Sequence, residues 1–149
     1  MKKILLVAAL VLGFAAVASA QPKAVGLRGG FGIEATYQHT LGDKMIQADL
    51  GLVGGGFNIA GTYNWTLLQP KWTNKGEWSV YAGPGAALGF GITRAFHIAA
   101  AGMVGLEYQF WFPLQLSVDI RPQLGLAAGP GAGFHVTGYW PALSARYMF

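Results

Sequence analysis

The stretch that decides the fold is 24-AVGLRGGFGIEATYQ-38. Its residues alternate strictly. Val25, Leu27, Gly29, Phe31, Ile33, Ala35 and Tyr37 fall on one face, and Gly26, Arg28, Gly30, Gly32, Glu34, Thr36 and Gln38 on the other. A period of two is the signature of a β-strand with two unlike faces. The phase holds longer than an ordinary strand of about five or six residues.

The same alternation recurs along the chain. In KMIQADLGL, Ile46, Ala48, Leu50 and Leu52 oppose Gln47 and Asp49. FNIAGTYNWTL, WSVYAGPGAALGF, FHIAAAGMVGLEYQF, LQLSVDIRPQL and the final LSARYMF read the same way. Turn-forming segments separate these runs: LGDK, GGG at 54–56, QPKWTNKG, GFGITR and FWFP. With 23 glycines in 149 residues, against an average near 7%, long helices are not expected after the first twenty residues. The motif AGPGA occurs at 82–86 and again at 128–132. Proline cannot donate to a ladder, so Pro84 is expected at a bulge, a bend or a strand end.

Residues 1–20, MKKILLVAALVLGFAAVASA, carry two lysines, an apolar run and a small-residue Ala-Ser-Ala ending. That layout predicts a secretory signal peptide cleaved after Ala20, followed by one domain at 21–149. The chain has no cysteine, which excludes disulfides, cysteine-held metals and a lipid-anchored cysteine. The formal charge of +4 includes Lys2 and Lys3, so the mature domain is only weakly basic and no nucleic-acid partner is expected.

Alternation alone does not say which face is inside. Charged residues make up 11% of the chain, against about 25% in soluble domains. The polar face is built mainly of Gly, Ala, Ser, Thr, Asn and Gln, where a soluble exterior would be rich in Lys and Glu. Lys23, Lys44, Lys71 and Lys75 fall at strand ends or turns. Arg28, Arg121 and Arg146 sit within strands on the polar face, with Glu34, Asp49, Glu107 and Asp119. Arginine's planar fork suits paired, water-poor sites, so these seven are expected to form a lumen charge network. Aromatic residues, among them Tyr37, Tyr63, Trp65, Trp78, Tyr108, Phe110, Trp111, Phe112, Tyr139 and Trp140, gather near strand ends, as interfacial girdles require.

These features predict an all-β, antiparallel, up-and-down transmembrane β-barrel. At about ten residues per crossing the mature length allows eight strands. Seven runs are clear. The eighth comes either from a break of the opening run at Gly29–Gly30, which would leave residues 126–139 as a glycine-rich extracellular loop, or from a short strand within GAGFHVTGYW.

The segments GLRGGFGIEATYQH, GLEYQF, LQLSVDIRPQ and LSARYMF resemble those of small bacterial outer-membrane β-barrels of the Bacteroidetes type. The resemblance implies an outer-membrane location, a lipid environment, and recognition of the last strand by the barrel-assembly machinery. Leu143, Ala145, Tyr147 and Phe149 match the alternating positions of that C-terminal assembly signal, and Pro141 breaks the pattern upstream.

Eight-stranded barrels have interiors that side chains fill, so a structural or surface-interaction role without catalysis is expected, with no cofactor and no metal. Two other readings stay open. His135 and Thr137 share a face and resemble the His-x-Ser spacing of lipid A deacylase barrels, although the hydroxyl belongs to Thr and no acid lies near in sequence. A narrow channel, or a carrier of a small apolar ligand, is the other. His39, His97 and His135 are scattered without metal-ligand spacing.

Overall fold

The computed structural model describes residues 23–91, 96–129, 133–138 and 140–149. The predicted signal peptide lies outside the described residues. Ten strand segments follow in order: β1 (Lys23–Gly29), β2 (Gly32–Leu41), β3 (Lys44–Val53), β4 (Gly56–Leu68), β5 (Glu77–Phe90), β6 (Phe96–Gln109), β7 (Leu114–Ile120), β8 (Gln123–Ala128), β9 (Gly133–Thr137) and β10 (Pro141–Met148). There is no helix among the described residues.

Every pairing is antiparallel, and the sheet closes through β5–β6 and β1–β10. β7 and β8 are two parts of one strand. Both pair with β6, and the break falls at Arg121–Pro122, where proline cannot donate. β9 and β10 likewise follow one another along a single wall. The result is a closed eight-strand barrel.

Its stagger can be read from the registers. From Gly29, one route round the barrel passes Leu143 to Val118 in β7. The other passes Ile33, Leu52, Phe57, Phe90 and Phe96 to Ala128 in β8. Ala128 lies ten positions beyond Val118 on the same strand. With strands about 4.8 Å apart and a rise of about 3.3 Å per residue, that stagger tilts the strands by about 40°.

Both described chain ends, Lys23 and Phe149, lie at one end of the barrel, here the lower end. Their backbones exchange two hydrogen bonds of 3.1 and 2.8 Å that finish the β1–β10 seam. The upper rim carries the β1–β2 turn at Gly30–Phe31 and the β3–β4 turn at Gly54–Gly55. Both glycines of the second turn have positive φ, 59° and 78°, which a tight type I′ hairpin demands. The tilt makes this rim uneven. The β8–β9 hairpin stands roughly 19 Å above the β1–β2 turn.

The opening run does break near Gly29–Gly30, into β1 and β2, and its phase survives the turn. The expected loop at residues 126–139 is corrected. Leu126 belongs to β8, and residues 133–137 form β9, paired Leu124↔Val136, Gly125↔His135 and Leu126↔Phe134. The two ways of finding an eighth strand were therefore not alternatives, since the final strand begins higher than its sequence suggested. Pro84 is corrected in part. It neither ends nor bulges β5, but the β4–β5 ladder skips from Thr62↔Gly85 to Trp65↔Ala82 beside it, while Pro84 still faces Gly102 of β6. The register shift in this ladder falls at Thr66/Leu68 instead.

Burial is inverted relative to a water-soluble barrel. Leu27, Ile33 and Leu143 are 63%, 69% and 70% exposed, whereas Glu34, Asp49 and Arg146 are 1%, 2% and 1% exposed. The polar face of every clear run lines the lumen, and the apolar face points outward.

Candidate functional site: a plugged lumen and its upper vestibule

Alternation places Arg28 on β1, Glu34 on β2, Asp49 on β3 and Asp119 on β7 with their side chains inward. Arg121 sits in the β7–β8 break and not within a strand, yet remains buried at 3% exposure. These five residues form one continuous chain of ion pairs. Arg28 donates from Nε and Nη2 to Asp119 Oδ1 at 3.0 and 2.5 Å, and from Nη1 to Glu34 Oε2 at 2.6 Å. Arg121 donates to Glu34 Oε1 at 2.7 Å and to Asp49 Oδ2 at 2.5 Å. Asn58 and Gln47 add amide donors to Glu34 and Asp49. Burying such charges is costly unless they are paired and hydrogen-bonded; here each is paired, while Asp119 Oδ2 and Arg121 Nε have no hydrogen-bond partner among the described residues.

The two remaining charges expected in this network stand apart from it. Arg146 donates to the hydroxyls of Thr36 and Ser117 at 3.2 and 2.9 Å and forms no salt bridge among the described residues. Glu107 is held by amides. Gln38 and Gln115 donate to Oε2 at 2.9 and 2.5 Å, and Gln109 donates to Oε1 at 2.8 Å. Gln115 also bonds the Gln38 carbonyl. The lumen is thus layered, with an ion-pair chain above a glutamine-held acid.

Sequence alternation put Met103 on the polar face but missed Met45 and Tyr81 as the rest of an apolar plug. Met45, Tyr81 and Met103 form a buried cluster in the lower lumen. The Tyr81 ring occupies the space over Gly105, where a Cβ would strike it. Parity would have revealed these two as well, since Met45 is in phase with Gln47 and Asp49, and Tyr81 with Ser79.

These side chains divide the lumen into two separate cavities. The upper vestibule, about 300 Å³, has Arg28, Glu34 and Arg121 in its floor and Phe31 and Trp140 at its rim. The lower cavity, about 170 Å³, is bounded by Met45, Tyr81 and Glu107.

His97 and His135 stand on the taller wall of the vestibule, with ring centroids 5.8 Å apart and edge-on. Thr137 lines the same vestibule. His135 and Thr137 therefore face the lumen side of the wall, not its apolar exterior. His39 lies in β2 near its lower end, beside Tyr37. Among the described residues no group of three His, Cys, Asp or Glu is placed to share a metal ion.

At the C-terminus, Leu143 and Tyr147 point outward and are 70% and 54% exposed, in phase with Ala145, while Arg146 points inward. No family model matches the chain, and no curated protein or solved structure matches it either.

Proposed function

We propose that this chain is a small integral outer-membrane β-barrel protein, exported by a cleaved signal peptide, whose lumen is plugged and whose role is structural or surface-interacting and not catalytic. The observation that carries this reading is the inverted burial. A barrel with leucine and isoleucine outside and an arginine–carboxylate chain inside is stable only where its outer solvent is apolar. Closure supports the same reading, because a spanning sheet must leave no backbone group unpaired in hydrocarbon. The aromatic residues near the lower end and the alternating Leu143, Ala145, Tyr147 and Phe149 fit an interfacial girdle and a signal read by the barrel-assembly machinery.

The ion-pair chain and the Met45–Tyr81–Met103 cluster argue against a channel. The inward placement of His135 and Thr137 argues against a deacylase working on lipid at the outer surface.

The test is expression in a Gram-negative host. The protein is expected in the outer-membrane fraction, shortened by the first twenty residues, soluble only with detergent, and faster on a gel unheated than boiled. A monomer that stays soluble in plain buffer overturns the proposal.

A further inference from the structure

The outer wall is not evenly covered. One row of outward residues crosses five neighbouring strands in register: Leu27, Ala145, Leu116, Tyr108 and Trp78. Leucines stand up from this surface, while Ala145 and the neighbouring Gly29 leave it low. An added Cβ at Gly29 would meet nothing within 4 Å. The result is a shallow apolar groove of about 520 Å³. Four strand spacings give it a length of roughly 19 Å, against roughly 15 Å for one leaflet of a bilayer core.

The groove has a polar end. Trp78 stacks on Tyr108 with centroids 4.7 Å apart, and Trp72 packs on Trp78 at 5.3 Å. Tyr108 Oη donates to the Lys75 carbonyl at 2.9 Å, which ties the β4–β5 loop to this wall. Lys75 Nζ lies 5.3 Å from the Trp111 ring centre, and Lys71 is exposed on the same loop. The nearest acid in sequence, Glu77, lines the lower lumen cavity instead. The groove therefore ends in amphipathic aromatic rings and two lysines, neither of which forms a salt bridge among the described residues.

We propose that this groove is a binding site for one anionic glycerophospholipid, with an acyl chain lying along Gly29 and Ala145 and its phosphate at Lys75. The proposal rests on the membrane reading above. The charge selects the occupant. A neutral amphiphile gains nothing from Lys75, and a protein partner would need a broad complementary patch of about 800 Å², not a narrow trough. Aromatic rings with one wet edge suit the boundary between headgroup and tail.

The experiment uses the full mature chain in vesicles of equal phosphatidylglycerol and phosphatidylcholine, extracted into mild detergent and weighed by native mass spectrometry. One retained phosphatidylglycerol per barrel is expected. Gly29→Leu, whose Cβ meets open space and whose side chain enters the groove, is expected to cut retention about tenfold. Lys75→Glu should abolish the preference for phosphatidylglycerol over phosphatidylcholine. Gly61→Leu, at another outward glycine with open space around it, should change nothing. Equal retention of both lipids by the unaltered protein, undiminished retention by Gly29→Leu, or equal loss in Gly61→Leu would overturn the lipid site alone. So would a dimer mass that Gly29→Leu removes. Failure of the protein to float with vesicles at all would overturn the membrane reading as well.

Discussion

Arg28 and Asp119 lie 91 positions apart in the chain, and two nitrogens of one guanidinium converge on a single carboxylate oxygen. Removing one partner of such a pair leaves an uncompensated buried charge, which costs about 3–5 kcal/mol. Arg28→Met strands Asp119 and leaves Glu34 with Arg121 alone, so a loss of that size is expected in urea unfolding of the barrel in lipid vesicles, followed by tryptophan fluorescence. The double variant Arg28→Met, Asp119→Asn should lose less than the sum of the two single changes.

Glu107 should respond differently from Glu34. Its partners are three glutamine amides, and each can turn over to present its oxygen instead. Glu107→Gln is expected to cost under about 1.5 kcal/mol. Glu34→Gln leaves both Arg28 and Arg121 short of a carboxylate and should cost several times more. Equal destabilisation of the two variants in the same unfolding assay would contradict the layered lumen.

The plug predicts electrical silence. The unaltered protein in a planar bilayer should show no stepwise conductance. A variant with Arg28, Glu34 and Arg121 all changed to Ala still keeps the lower Met45–Tyr81–Met103 cluster and should stay silent, whereas adding Tyr81→Ala and Met103→Ala should bring steps to the traces if the variant folds, as judged by its gel mobility shift. Steps in the unaltered protein would sink the plugged reading.

Phe149 is tied to Lys23 by a reciprocal backbone pair, so deleting it and trimming it are different experiments. Phe149→Ala keeps the backbone pair and should slow assembly in cells while leaving the unfolding midpoint of refolded protein nearly unchanged. Deleting Phe149 should do both, slowing assembly and loosening the seam. Normal insertion of Phe149→Ala would mean that the aromatic ring is no assembly signal.

Where large apolar residues alternated with charged ones, the sequence was enough to fix strand, face and even the β1–β2 break. Arg28, Glu34, Asp49 and Asp119 were legible because a charge in phase with threonine and glutamine has one place to go. β8 was legible only at Gln123 and Leu124, and β9 only as the alternative short strand within GAGFHVTGYW, because their other inward positions include Gly125, Ala127 and His135, and alternation of leucine with glycine looks like a loop. The glycines flanking this hairpin deepened the disguise. The split between the ion-pair chain and the Glu107 layer was also hidden. Parity tells which face a side chain takes, but the height at which it meets another depends on the ten-residue stagger, which only the closed barrel reveals.

The ion-pair chain also has a meaning for the order of events. Asp49, Glu34 and Arg28 come from the first three strands, while Asp119 and Arg121 come from the seventh, across the seam where β1 meets β10. Until that seam zips, a half-made sheet can pair Arg28 with Glu34 but leaves Asp49, Asp119 and Arg121 without the partners they have in the closed barrel. Such a sheet resists entry into oil. Arg28 and Glu34 can pair within the β1–β2 hairpin, but Asp49 and Asp119 meet their arginines only when the early and late parts of the chain have met, so the ion-pair chain works as a latch that a partial barrel fastens only in part. An intermediate missing β10 would keep Arg121 and Asp119 hydrated, so on the proposed membrane reading insertion would wait for β10 to close the seam.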